Sequence, residues 1–137
     1  MKTLNNLKPY AHWFLRIALV SVFLYHGLNK FPKLNDLAQM MNMPVLAVAM
    51  LAMMETVGAL LLLLGGFSRE WMTRVGALLL LPVMLGAIFM IHWGQWNFAP
   101  SQTHPMGGIE FQFTLVMIQL YFLIVGNNVN PEKVEGL

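Results

Sequence analysis

The chain contains no cysteine, and charged residues make up only 10% of its 137 residues. Without cysteine there is no disulfide, no thiolate metal site and no iron–sulfur cluster. Soluble domains carry about 25% charged residues, so this chain cannot cover a globular surface with water-compatible groups. Its net charge of +2 includes no basic run that could follow a phosphate backbone. These absences exclude disulfide scaffolds and thiol enzymes, and they argue against nucleic-acid binding.

Apolar residues, by contrast, make up 58% of the chain and gather in four long segments. We predict helices over about 12–28, 44–65, 71–91 and 107–126. A membrane-spanning helix needs about 20 residues at a rise of about 1.5 Å each. In hydrocarbon, every backbone group must bond within its own segment. The sequence therefore predicts an all-α fold, an integral membrane four-helix bundle, as a single transmembrane domain over residues 1–137 in a lipid bilayer.

Positive charge is distributed unevenly between the two sides of such a bundle. Four spans place both termini and the loop between the second and third helices on one side. That side has five Lys or Arg residues and the other side has two: Lys2, Lys8, Arg69, Arg74 and Lys133 against Lys30 and Lys33. Because positively charged loops stay in the cytoplasm, we predict a multi-pass protein of the inner (plasma) membrane with both termini cytoplasmic. The loop 92–105 lacks Lys and Arg and is predicted to face outward.

Two opposite charges lie deep in the predicted spans. An ionisable group there costs about 2.5–3.5 kcal/mol on insertion scales, so each one needs a reason. Counted from the cytoplasmic ends of their helices, Arg16 lies about 10 Å and Glu55 about 13 Å into the bilayer. We therefore predict an ion pair between them. Such a pair can fix the helix register without any chemistry, and this structural role and a functional one are equal alternatives.

A second layer of ionisable groups is predicted nearer the outside. His26 and Glu110 both lie about 24 Å from the cytoplasmic ends of their helices. His92 ends the third helix slightly higher, and Lys30 shares a helix face with His26 one turn further on. We predict that these groups line one outward-opening pocket, with the Arg16–Glu55 pair as its floor. Taken singly, each histidine is better explained structurally, His92 as an interfacial anchor and His26 as a hydrogen-bonded wall residue. Two carboxylates in the same small bundle weaken that explanation.

Three stretches carry a family resemblance. Residues 16–30 (RIALVSVFLYHGLNK), 55–69 (ETVGALLLLLGGFSR) and 107–111 (GGIEF) resemble, in order and spacing, the DoxX family of small membrane proteins. His92 falls where that family's third helix ends, and the resemblance covers nearly all of residues 16–126. It implies a four-helix fold linked to quinone-dependent oxidoreduction, similar to the small membrane subunit of thiosulfate:quinone oxidoreductase.

The resemblance and the polar residues together suggest a function. We expect a membrane subunit of a quinone-linked oxidoreductase that binds a quinone or a small polar substrate between helices near the outer face. Histidine and carboxylate groups suit this role because they bond carbonyl oxygens and also move protons. The candidate catalytic residues are Glu55, Glu110 and His26. The candidate cofactor-binding residues are Arg16, His26, His92, Glu110 and Lys30. A lone histidine per helix gives no reason to expect haem, and neither flavin nor an iron–sulfur cluster is expected.

Two alternatives belong to other classes of protein. One is a metal-binding membrane module that uses His26, Glu55, His92 and Glu110, since imidazoles and carboxylates suit zinc, iron or manganese. The Glu-x-x-His spacing of di-iron bundles is absent, which counts against a two-metal centre. The other is a non-catalytic scaffold or assembly subunit. A chain this small is compatible with a soluble or membrane partner subunit, or with assembly into a homo-oligomer.

Overall fold

The computed structural model describes residues 2–127, and within that range every regular element is helical. The predicted all-α membrane bundle is confirmed. The α-helices are α1 (Lys2–Leu7), α2 (His12–Lys30), α3 (Leu34–Met41), α4 (Val45–Gly65), α5 (Glu70–Ala87) and α6 (Glu110–Val125). Two 3₁₀ turns, Lys8–Tyr10 and Phe31–Lys33, flank α2, and a π-helical turn, Ile88–His92, follows α5. The tail from 128 to 137, which includes Lys133, lies outside the described residues.

Three helical stretches in the described part of the chain are long and apolar enough to cross a membrane. They are Asn5–Met41, Val45–Gly65 and Glu70–His92. The fourth predicted span is shorter, because α6 has only 16 residues. At about 1.5 Å per residue it extends about 24 Å, against about 30 Å for a bilayer's hydrocarbon core. These helices imply a lipid environment, with α6 as a shorter apolar member of the bundle.

The predicted fourth helix began at 107, but α6 begins at Glu110. Residues just before it pair with the preceding loop instead: the amides of Gly108 and Ile109 donate to the carbonyls of Asn97 and Gln95, both at 2.9 Å. Gly107 has φ +77°, which an L side chain rarely adopts and which breaks the helical path. The loop therefore takes the first turn that hydrophobicity alone assigned to the helix.

The bundle is a ring in which each helix packs on the next. Helix α2 packs on α4, α4 on α5 and α5 on α6, and α6 returns to contact α2. Its core contains buried apolar residues from all four helices: Leu19, Val20, Phe23, Ala59, Leu62, Ala77, Leu80, Leu115 and Phe122. Helices α4 and α5 approach most closely at Gly76, where an added Cβ would lie 2.7 Å from the Gly58 carbonyl oxygen. Small residues at such crossings let membrane helices pack backbone to backbone.

The register between α2 and α4 is set at two glycines. A Cβ on Gly27 would lie 2.5 Å from Thr56 Oγ1, so this part of α2 rests directly on α4. Near the other end of both helices, a Cβ on Gly66 would lie 2.8 Å from Arg16 Nε. The two helices run antiparallel, with Gly27 level with Glu55 and with Arg16 level with the end of α4. This register decides which charged groups meet.

Helix α3 lies in a stretch for which we predicted no helix. It is short and amphipathic: Leu34, Leu37, Ala38 and Met41 are buried or half-buried, whereas Asn35, Asp36, Gln39 and Met40 are exposed. Its apolar face packs on α4. Asn42 ends it in a left-handed conformation (φ +51°) and donates its amide to Gln39. With only eight residues, α3 is below the length at which hydrophobicity indicates a span.

Candidate functional site

A buried ion pair joins α2 to α4. Lys30 Nζ lies 2.5 Å from Glu55 Oε2, and the two side chains are 20% and 4% exposed. The carboxylate is thus enclosed by the bundle, whereas the ammonium reaches its surface. In a low-dielectric interior such a pair is much stronger than in water, and each charge would be costly alone. The pair is therefore an acid and a base in contact, with one accessible end.

Local packing places this pair. Gly27, one turn before Lys30, lets α4 approach until Thr56 and Glu55 lie against α2. Thr56 Oγ1 donates to the Ala52 carbonyl oxygen at 2.8 Å, which satisfies its hydroxyl inside its own helix. A larger residue at 27 would push α4 away from α2. The glycine therefore fixes the distance across which Lys30 reaches Glu55.

His26 lies beside this pair but on the outside of α2. Its residue is exposed, and its ring packs edge-on against Tyr25 with centroids 5.4 Å apart. Only its carbonyl oxygen contacts Lys30, which donates to it from 3.4 Å. The structure thus brings together three of the predicted site residues, His26, Lys30 and Glu55. The imidazole borders the exposed Lys30 end of the group.

Arg16 does not pair with Glu55, and the predicted ion pair is wrong. The guanidinium is fully buried and bonds neutral acceptors: Nη1 donates to the Leu62 carbonyl and to Thr73 Oγ1 (3.0 Å), and Nη2 donates to Asn127 Oδ1 (3.1 Å). Among residues 5–127 no carboxylate contacts it. Depths counted from the helix ends did not include the register between α2 and α4 described above. In that register Arg16 lies level with Leu62, and Glu55 lies seven residues of helix, about 10 Å, away from Leu62.

Aromatic rings complete the surroundings of Arg16. Its guanidinium carbon lies 4.7 Å from the Phe122 ring centroid and 5.5 Å from that of Trp13. Trp13 in turn packs on Phe67 at 4.6 Å between centroids. Cation–π attraction is strongest where water is excluded, so these rings help to hold a charge that has no anion beside it. Arg16 is a cross-link among four helices and is not part of the Lys30–Glu55 group.

His92 forms a separate polar group at the end of α5. The π-helical turn buries its ring beneath the loop that precedes α6. Nδ1 donates to the Gly107 carbonyl oxygen at 2.9 Å, since a carbonyl can only accept. Nε2 then accepts from Gln112 Nε2, also at 2.9 Å. Both ring nitrogens are therefore used within the protein, and the histidine holds the loop to α6.

Glu110 caps the same loop from the first turn of α6. Its Oε2 accepts from the Phe98 amide at 3.2 Å. It borders a shallow cleft of about 250 Å³ with Phe98, Phe111 and Thr114. A carboxylate at a helix N-terminus is favoured by the helix dipole, so this position has a structural explanation. Neither His26 nor Lys30 lines this cleft.

The predicted common pocket does not form. Its residues divide among three places. Lys30 and Glu55 lie between α2 and α4, with His26 beside them on the outside of α2. His92 and Glu110 lie under the α5–α6 loop, and Arg16 is at the opposite end of the bundle. The metal alternative fails with it, because among the described residues no three His, Asp or Glu side chains are close enough to hold a metal ion. His26, Glu55, His92 and Glu110 are distributed over two of these places.

Several hydrogen-bond partners of the buried charged and imidazole groups were not predicted from the sequence. Thr73, Asn127 and Gln112 carry much of the hydrogen bonding around Arg16 and His92. Thr73 and Asn127 lie near helix ends on the same side as Arg16, which was the one available signal for them. Gln119 is fully buried on α6, and within the described part of the chain neither amide atom has a hydrogen-bond partner.

These features define a class: a small polytopic helical membrane protein with ionisable groups buried between its spans. Comparison with known proteins identifies the family within this class. The DoxX family model matches residues 11–93, and the chain belongs to that family. A protein of uncharacterised function from Haemophilus influenzae is 32% identical to it over 92% of this chain and 90% of the relative. No solved structure matches significantly.

Proposed function

We propose that the chain is a membrane subunit of a quinone-linked oxidoreductase and that the Lys30–Glu55 pair binds the quinone headgroup. The observation that supports this most is a buried carboxylate paired at 2.5 Å with a partly accessible ammonium inside an apolar bundle. An ionisable group among membrane helices is costly and usually serves function. The site is at the α2–α4 surface, where a lipid-soluble ligand arrives from the bilayer.

The chemistry of the donor set fits one carbonyl of a quinone. Lys30 Nζ is a donor that reaches the surface, and a charged donor to a carbonyl contributes about 1.5–3 kcal/mol. The exposed Tyr25 and His26 rings provide an aromatic surface beside it. His92 and Glu110 lie at the α5–α6 loop and take no part in this site. Arg16 likewise takes no part in it.

The pair would serve by holding and moving protons. Quinone reduction consumes protons together with electrons, and the quinone itself supplies the redox chemistry. Lys30 donates a hydrogen bond to the headgroup, and Glu55 behind it accepts or returns a proton through Lys30. A partner subunit or the substrate is proposed as the electron source.

Binding of a short-chain ubiquinone analogue tests the proposal. The protein in lipid nanodiscs is titrated calorimetrically, with empty nanodiscs as the blank for partition into lipid. Lys30→Met and Glu55→Gln should each weaken binding at least about tenfold, the equivalent of about 1.4 kcal/mol. Glu70→Gln is the matched control, because Glu70 forms an exposed pair with Arg74 at 2.6 Å. It should bind like the unchanged protein.

Two results would contradict this function. One is an unchanged affinity in both variants while each remains folded by circular dichroism. The other is the absence of any saturable binding by the unchanged protein, together with no quinone in its lipid extract. Either result favours the scaffold or assembly role, in which the Lys30–Glu55 pair only fixes helix register.

A further inference from the structure

The loop between the π-helical turn and α6, residues 93–109, has an unusual composition. Its seventeen residues contain no Asp, Glu, Lys or Arg. Three of its aromatic side chains are largely exposed: Trp93, Trp96 and Phe98 are 62%, 56% and 64% exposed. A loop in bulk water normally carries charge and few exposed aromatic rings, so both features call for a different environment.

The loop also satisfies much of its own hydrogen bonding. Gln95 Nε2 donates to the carbonyls of Asn97 and Ala99, both at 2.8 Å, and Gln95 Oε1 accepts from Ser101 Oγ at 2.6 Å. His104 Nε2 donates to the Trp93 carbonyl at 2.9 Å. Water could satisfy these carbonyls at no cost to the fold. Internal partners matter where water is scarce.

Backbone bonds tie the loop to the start of α6 in the same way. The amides of Gly108, Ile109 and Glu110 donate to the carbonyls of Asn97, Gln95 and Trp96 at 2.9–3.0 Å. The Phe98 amide donates to Glu110 Oε2. This part of the loop is therefore a compact hydrogen-bonded body fixed to the helix, with its aromatic side chains on the outside.

The length of α6 supplies the remaining argument. It covers about 24 Å of a hydrocarbon core of about 30 Å. The α5 side of the same hairpin, Glu70–His92, is long enough to cross. Beside Glu70–His92, α6 is therefore about 6 Å too short to cross the hydrocarbon core. Residues 93–109 directly precede α6 and are in position to span the remainder.

We propose that residues 93–100 and 104–109 of this loop are immersed in the bilayer's headgroup and acyl boundary and complete the fourth crossing. The exposed aromatic rings contact lipid, as Trp and Tyr do in interfacial belts. The polar tip, Ser101–Thr103, faces water. Its side chains are exposed and, unlike the rest of the loop, include nothing apolar. The partner of this surface is therefore the lipid itself.

Tryptophan depth measurement tests this directly. Trp13→Phe and Trp71→Phe leave the two loop tryptophans, and Trp93→Phe then isolates Trp96. In phosphatidylcholine vesicles, lipids brominated near the headgroup end of the acyl chain should quench Trp96 fluorescence more than lipids brominated near the end of the chain. Iodide quenching should be at least about threefold weaker than for free tryptophanamide, as for groups buried 5–10 Å into the interface.

Thiol labelling provides a second measurement, because the chain has no native cysteine. In nanodiscs, a water-soluble maleimide should label Phe98→Cys at least about tenfold more slowly than Gln102→Cys, the control in the polar tip. Equal labelling rates, with iodide quenching of Trp96 as strong as for free tryptophanamide, would place the loop in water and overturn the proposal. Shielding from iodide without quenching by brominated lipid would also overturn it, since the aromatic surface would then contact protein.

Discussion

At the residue scale, Arg16 shows how a buried cation is stabilised without an anion. Its acceptors include the Leu62 carbonyl near the end of α4, and Asn127 just after α6. The C-terminal end of a helix carries partial negative charge, so two helix dipoles favour a cation here. Asn127 is itself fixed, because its Nδ2 donates to the Gly65 carbonyl at 2.7 Å and its Oδ1 accepts from Thr73 at 2.6 Å.

Removing this guanidinium should destabilise the bundle strongly. Arg16→Met leaves the buried acceptors of Leu62 and Thr73, and the half-buried one of Asn127, short of a donor. We expect a loss of about 3 kcal/mol or more in the free energy of unfolding. Arg16→Lys keeps the charge but cannot reproduce the planar fork, so an intermediate loss is expected. Titration with sodium dodecyl sulfate, followed by circular dichroism, measures both changes.

The control for Arg16 is Lys33→Met, which removes a positive charge from an exposed position. Exposed substitutions of this kind usually change stability by no more than about 0.5 kcal/mol. A loss for Arg16→Met as small as that for Lys33→Met would show that the guanidinium is not a cross-link. The network of hydrogen bonds around it would then have no energetic importance.

At the scale of elements, hydrophobicity predicted the long helices well and their contacts poorly. The second and third spans were placed at 44–65 and 71–91, and the structure has Val45–Gly65 and Glu70–Ala87 with its π-helical turn to His92. Apolar length carries that information. It carries none about register, which depends on where two backbones approach, and so Glu55 was assigned to Arg16 instead of Lys30. Hydrophobicity did not predict helix α3, because this helix is short and partly polar.

Gly27 should control the α2–α4 register. Gly27→Ala would place a Cβ 2.9 Å from the Thr56 backbone nitrogen and 2.5 Å from Thr56 Oγ1, so the helices must separate. We expect a loss of about 1–3 kcal/mol in the free energy of unfolding, the usual range for overpacking. A weaker Lys30–Glu55 contact should accompany it. The same detergent titration measures the loss.

Gly86→Ala is the matched control for Gly27→Ala. Gly86 lies inside α5, and a Cβ added there would meet nothing within 4 Å. Helix propensity alone then applies, and alanine should stabilise the helix by up to about 1 kcal/mol. Opposite signs for the two substitutions would support close packing at Gly27. A neutral Gly27→Ala would show that α2 and α4 do not depend on this contact for their register.

At the scale of the whole molecule, the Arg16 network shows which ends of the helices lie together. Arg16 is in the second turn of α2, Gly65 ends α4, Thr73 is in the first turn of α5, and Asn127 follows α6. One end of the bundle thus holds the start of α2, the α4–α5 connection and the end of α6. The 93–109 loop lies at the other end. This arrangement fits four helices that alternate in direction.

Charge predicts that the end holding Arg16 faces the cytoplasm. Of the residues that give the five-to-two excess of Lys and Arg, Arg69 and Arg74 lie at that end, whereas Lys30 and Lys33 lie at the other. Reporter fusions test this: alkaline phosphatase, active only outside the cytoplasm, should be inactive after Leu137 and active when inserted at 101–103.

Replacing Arg69 and Arg74 by glutamine should lower the fraction of correctly oriented chains, since short-loop Lys and Arg set orientation. Lys33→Gln, which removes an exposed charge from the other end, is the control and should not lower it. Phosphatase activity in the fusion after Leu137 would show the opposite orientation, with the 93–109 loop on the cytoplasmic face.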